Sequence, residues 1–261
     1  MDVFAADPQR LDNHLGKTIR LNLDGSMPKD NPFIGLPDAL PEIFTYGHRN
    51  PQGIYYNLDD SQVYVVDHGP KGGDEINQLI EGRNYGWPVI TYGKDYNNEK
   101  VGVGAQYSDM ELPLYYWDPS VAPSSLLIYN GENYPNWQSS WFVTTLREKT
   151  LLRFTKSGSK FVEERLYQNE FGRIRKIETS PAGDLFLLTD GSKGSLIKIL
   201  GKSCWLLSSW ISVLEINGFP LLSHSALLSG SWSISVPWSS EFGDENRFSG
   251  ISIINIAFGF C

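Results

Sequence analysis

Two charged, turn-rich loops carry the residues best suited to chemistry, and they flank one short apolar strand, Val63 to Val66. In the first loop, Gly47-His48-Arg49-Asn50-Pro51-Gln52-Gly53, Arg49 offers a planar fork of donors that suits a carboxylate. Asn50 and Gln52 each add a donor and an acceptor, and Pro51 stiffens the turn that holds them. The second loop, DHGPKGGDE from Asp67 to Glu75, sets Gly69 and Pro70 beside His68 and ends in Asp74 and Glu75. Backbone carbonyls with nearby carboxylates are the donor set a hard cation takes. Asn-Pro and Gly-Pro alone would mark ordinary turns; it is the two loops together that point to a site carried on loops and positioned by a strand.

The positioning elements are strands. Residues 17–23 (KTIRLNL) alternate polar and apolar before a turn at Asp24-Gly25-Ser26, the pattern of a half-buried strand. That phrase returns at 149–157 (KTLLRFTKS) and more weakly at 194–200 (GSLIKIL). A second phrase recurs at 61–66, 140–145 and 184–190, each time after a Gly, Asp, Asn or Ser turn. Recurrence at about 40–50 residues is the period of four-stranded propeller blades. About four such units fit between residues 10 and 200, which predicts an all-β fold.

Bulk properties bound the partners. A net charge of −8 in 261 residues, with no basic stripe, excludes a nucleic-acid role resting on phosphate neutralisation and disfavours anionic membranes. No apolar run reaches the about 18 residues of a membrane span, and the opening MDVFAADPQRLDNHLGK is not expected to be a signal peptide. Cys204 and Cys261 lie in the last quarter and cannot staple the body of the fold.

The ordered motifs GHRNPQG, DHGPKGGDEIN and GRNYGWP resemble those of the soluble glucose and aldose sugar dehydrogenases that use pyrroloquinoline quinone (PQQ), the glucose/sorbosone dehydrogenase family. The likeness continues through WDPSVAPSS (117–125), FVTTLREKTLLR (142–153), FGRIRKI (171–177) and DLFLLTD (184–190), so it spans roughly residues 8–200. The resemblance implies a six-bladed β-propeller of which residues 1–200 form part. Residues 201–261, rich in Ser, Trp and Leu, have no counterpart in the family and are expected to be an irregular tail, frameshifted or disordered.

The resemblance also implies a site. PQQ is a flat quinone bearing carboxylates, so its pocket needs arginines and orienting amides. Arg49, Asn50 and Gln52 are assigned to it, as are Arg173 and Arg175, which alternation would set on one face of a strand opposite Ile174. Arg147 stands where the family usually has lysine, and Ser120 near a Ser or Thr position facing the cofactor. His68, directly before Gly69-Pro70, reads as a site residue; His14 and His48 read as structural, and His224 has no context that would recruit it. The carbonyls of Gly69 and Pro70 are implied to hold a calcium ion, with Glu75, Tyr85, Thr91 and Asp95 matching a second calcium cluster. The implied reaction oxidises the anomeric hydroxyl of an aldose to a lactone and passes electrons to a further acceptor. The general-base histidine of the family is expected upstream of residue 1, which would leave this chain impaired. Periplasmic or secreted location follows by resemblance. The competing readings are a non-catalytic binding propeller and a calcium-dependent propeller lactonase, the latter disfavoured by the arginine-rich loops.

Overall fold

The computed structural model describes residues 7–158, 160–200, 209–216 and 251–258. Among them only two helical segments occur, both single 3-10 turns, at Asp7–Gln9 and Pro135–Trp137. The remaining regular structure is antiparallel β, arranged as the successive meanders of a β-propeller.

Strands β1 (Lys17–Ile19) and β2 (Ile43–Tyr46) form a two-stranded sheet. Strands β3 (Pro51–Asn57), β4 (Gln62–Asp67), β5 (Asp74–Leu79) and β6 (Tyr115–Trp117) follow as one four-stranded sheet in chain order. A second contains β7 (Pro123–Ile128), β8 (Trp141–Thr145), β9 (Leu151–Ser157) and β10 (Lys160–Leu166). A third contains β11 (Ile174–Thr179), β12 (Leu185–Thr189) and β13 (Ser195–Ile199), extended by β14 (Ser209–Ile216) and β15 (Ile251–Phe258).

The repeated phrases fall on equivalent strands. The phrase at 61–66, 140–145 and 184–190 becomes β4, β8 and β12, second in each sheet, and the phrases at 149–157 and 194–200 become the third strands β9 and β13. The predicted strand at 17–23 is shorter than its pattern suggested. It stops at Ile19 because Asn22 and Ser26 close a turn on their backbones, with Asp24 accepting from the Ser26 amide at 2.9 Å. Two stretches of the segment after residue 200 are strands; the expectations for the rest of it, with His224 and both cysteines, lie outside the described residues.

Packing between sheets explains the apolar runs. Strand β8, WFVTT, is buried along its whole length. Trp141 and Val143 join the cluster against the β3–β6 sheet with Tyr64, Val66 and Leu126, while Phe142 points the other way, into a cluster with Ile174, Leu185 and Leu187. Alternation therefore feeds two cores instead of one core and solvent. Each large side chain so buried contributes about 1.5–3 kcal/mol.

Inner strand β7 packs directly on both β3 and β11, the inner strands of the sheets on either side. Gly53 permits that approach, since a Cβ there would lie 2.7 Å from the Ser125 Cα. Each inner strand slips register with its neighbour at one end: Gln52 on β3, Ser124 on β7 and Arg175 on β11 are the extra residues. Such bulges re-aim side chains, and these three lie at the same end of the fold.

Candidate functional site

Two buried carboxylates hold the loops at that end. Asp67 closes β4 and is 4% exposed. Its Oδ1 accepts from the Asn50 amide at 2.6 Å, and its Oδ2 accepts from the Arg49 amide at 3.2 Å and from His48 Nδ1 at 3.3 Å. His48 is fully buried, stacked on Tyr85 at 4.4 Å, with its other nitrogen 2.9 Å from the Thr45 hydroxyl. It props the first loop from below, the structural role read from the sequence. His14 is exposed and pairs with Glu42 at 2.7 Å.

Asp74, also fully buried, does the same for the second loop. Its Oδ1 accepts from the Gly69 amide at 2.9 Å. Its Oδ2 accepts from Ser120 Oγ, Val121 N and Ala122 N at 2.8, 2.7 and 2.8 Å. Both of its oxygens face N–H or O–H donors, so this carboxylate ties the DHGPKGGD loop to the WDPSVA loop, where the sequence pattern grouped it with cation ligands. Arg147 is exposed and reaches the same place, donating to the Ser120 carbonyl at 2.9 Å.

On this frame the other expected cofactor residues form one run of contacts across two sheets. Arg49 Nη1 donates to the carbonyls of His68 and Gly69 at 3.3 and 3.0 Å, and its guanidinium lies 5.3 Å from the centre of the Trp87 ring. His68 Nδ1 lies 3.5 Å from Asn50 Nδ2, and its Nε2 is bonded to the Pro123 carbonyl. Gln52 donates to Asn50 Oδ1 at 2.8 Å and accepts from Arg175 Nη1 at 3.4 Å. Arg175 and Arg173 then meet on one oxygen of Asp190, at 2.6 and 3.1 Å. The two guanidiniums hold the Asp190 carboxyl below the usual carboxylate range. Their convergence does not come from strand alternation: Arg173 precedes β11 and Arg175 is the bulged residue.

Beside Arg49 lies a small, partly open space of about 10 Å³, the size of one water molecule. Asp67, Gly69, Glu75, Tyr85, Trp87 and Thr91 are among its walls. Burial pushes the Glu75 carboxyl up to about 8, against the bond it accepts from Asn77 at 3.0 Å and with added repulsion from Asp67 and Asp74. The structure thus brings Glu75, Tyr85 and Thr91 together. Asp95 is not part of that wall; it is half-buried in a separate turn, where its carboxylate accepts from the Tyr96 amide at 2.7 Å. Among the described residues no three His, Cys, Asp or Glu side chains converge as metal ligands, and the Gly69 oxygen keeps a lone pair beyond the bond to Arg49.

The family model described as Glucose / Sorbosone dehydrogenase matches residues 2–198. The chain belongs to the glucose/sorbosone dehydrogenase family. Within that family it is similar to aldose sugar dehydrogenase YliI of Escherichia coli strain K12, with 40% identity over 73% of this chain and 52% of that one. A solved glucose dehydrogenase is 40% identical and superposes with a TM-score of 0.74, covering 77% of this chain and 59% of its own. The PQQ-bound form of an aldose sugar dehydrogenase from Streptomyces coelicolor is 27% identical with a TM-score of 0.54, over 71% and 49%. The chain spans about half the length of the curated relatives it matches.

Three features of the site escaped the sequence reading. Asp190 ends the DLFLLTD strand and Trp87 sits in the NYGW turn, so both lay inside quoted motifs without a role. The bulges at Gln52, Ser124 and Arg175 left no such signal, because register slips depend on the partner strand. No helix among the described residues is long and apolar enough to cross a membrane.

Proposed function

We propose that this chain is part of a PQQ- and calcium-dependent dehydrogenase that oxidises the anomeric hydroxyl of an aldose to a lactone, acting outside the cytoplasm. The observation that carries it is the contact run from Arg49 through Asn50 and Gln52 to Arg175 and Arg173, which puts three guanidiniums and two amides at one end of the inner strands. Two cations sharing the single carboxylate of Asp190 leave most of their donors uncommitted, which suits a ligand bearing several carboxylates. The fit to PQQ is therefore good, and the PQQ-bound relative supports it.

When bound, the quinone supplies the hydride acceptor and calcium polarises it as a Lewis acid. The protein's residues orient and neutralise. Arg173 and Arg175 would pair with cofactor carboxylates, Gln52 and Asn50 would fix its plane, and Arg147 would approach from the WDPSVA side. Arg49, stacked over Trp87, would lie between cofactor and sugar. The carbonyls of Gly69 and Pro70 would hold calcium, and the Glu75, Tyr85 and Thr91 wall a second cation, with Asp95 joining only after its turn rearranges. His48 is buried with both ring nitrogens engaged, and His68 has its Nε2 committed to the Pro123 carbonyl and only its Nδ1, 3.5 Å from the Asn50 amide nitrogen, left to take a proton, so turnover by this chain alone should be weak. That engagement is also what favours the second reading, a propeller that binds without catalysis.

Melting the full chain with and without PQQ and calcium tests the pocket, because a ligand at 100 times its Kd adds about 2.7 kcal/mol. The dehydrogenase reading expects a rise in Tm with PQQ and only slow aldose-dependent dye reduction. An unchanged Tm removes it in favour of the binding module, and robust turnover would show the histidine argument to be wrong.

A further inference from the structure

A second cavity lies at the opposite end of the same strands. Strand β3 starts at Pro51 beside the cofactor loops and ends at Asn57, six steps or about 20 Å away. Strand β7 likewise runs from Pro123, the partner of His68, to Ile128. Between the two sheets at that far end is a concave space of about 300 Å³ lined by Asn57, Asp59, Gln138, Ser139, Thr155 and Lys156. Ile128 and Trp141, each only 3% exposed, form its buried floor. This volume is at the lower bound for small-ligand sites, and its lining is more polar than is usual for them.

The lining is chemically specific. Among the described residues, the side chains of Gln138, Ser139, Thr155 and Lys156 take part in no hydrogen bond within the protein, although each can donate. The Lys156 ammonium is held 4.5 Å from the Trp141 ring centre and 5.5 Å from that of Phe161, which fixes its position without consuming its protons. Asp59 is oriented by Asn130, which donates to its Oδ2 at 2.9 Å and leaves the rest of that carboxylate as acceptor. Ser139 sits in left-handed backbone at φ 57°, a conformation its surroundings must hold. The Lys156 ammonium is answered by Asp59 in the wall and by the neighbouring Asp60, so the cavity offers no net positive charge to an anion.

We propose that this far-end cavity binds a neutral, polyhydroxylated molecule of monosaccharide size. Its hydroxyls donate to Asp59 and Asn57 and accept from Gln138, Ser139, Thr155 and Lys156. The proposal does not depend on the cofactor site, with which the cavity shares no residue.

Methyl α-D-glucopyranoside is the probe, because its anomeric oxygen is capped against oxidation. Saturation-transfer NMR and calorimetry on the full chain should give saturable binding with a millimolar Kd. Thr155→Tyr fills the cavity from an exposed strand position that accepts aromatics, and should weaken binding more than tenfold with an unchanged Tm. Gln138→Ala, on an exposed turn, should weaken it about threefold. Arg175→Ala, at the other end, should leave it unchanged. Absence of saturable binding by the wild-type protein overturns the proposal, as does equal binding by Thr155→Tyr. Loss in Arg175→Ala with none in Thr155→Tyr moves the sugar to the cofactor end and also overturns it. Preference for gluconate, abolished by Lys156→Met, overturns the neutral class of ligand.

Discussion

Replacing Asp74 by Asn tests whether one buried carboxylate holds the two site loops together. The change keeps shape and volume but removes charge and one acceptor oxygen. The amide oxygen can face Ser120, Val121 and Ala122, the three-donor side, which leaves its NH2 against the Gly69 amide. Three charge-assisted bonds then become neutral, at about 1 kcal/mol each, and one buried donor loses its partner at about 1–3 kcal/mol. The expected cost is about 4–6 kcal/mol, a large share of a domain's usual 5–15 kcal/mol, and a fall in Tm of roughly 10 °C or more. Urea unfolding with a common m-value measures it. Glu178→Gln, in an exposed pair with Lys176 at 3.2 Å, is the control and should cost less than about 0.5 kcal/mol. If Asp74→Asn costs no more than that control, the loops are held by something else, and the account of how Gly69 and Pro70 are positioned fails.

Other outcomes follow from the same geometry. Arg175→Lys keeps the charge but cannot span Asp190 and Gln52 together, so PQQ binding, read from the rise in Tm, should weaken about tenfold, or about 1.4 kcal/mol. Glu75 has a folded pKa of about 8 against an ordinary 4.5, so between those values the native state holds a proton that the unfolded chain has released. Stability in metal-free buffer should therefore fall as pH rises across that window, by at most about 1.4 kcal/mol per unit, and Glu75→Gln should flatten the profile. Phe142→Ala empties a fully buried position in the core between the β7–β10 and β11–β15 sheets and should cost about 3–5 kcal/mol in urea.

Much of this architecture could be read from local pattern. Strand phrases repeated at blade spacing located β4, β8, β9, β12 and β13, because period-two burial and turn residues are properties of short segments. The loop residues Arg49, Asn50, Gln52 and His68 were legible because their types and motif order carry chemistry. What stayed hidden depends on partners distant in sequence. Asp74 looked like a cation ligand until Ser120, Val121 and Ala122 were seen to claim its oxygens. Arg173 and Arg175 were expected to meet through alternation, whereas Asp190 and a bulge bring them together. Asp95 follows Thr91 by four residues, yet the 95–99 turn gives it a private set of contacts.

The register slips at Gln52, Ser124 and Arg175 have a consequence for how such a scaffold changes over time. Each is confined to the first pairs of its ladder, and beyond it β3, β7 and β11 run in step with their neighbours. Side chains on the rim are thereby uncoupled from those wedged between blades. Substitutions at the mouth can rewrite which ligand is welcomed while the interior, insulated by a single spare residue per strand, keeps its fit.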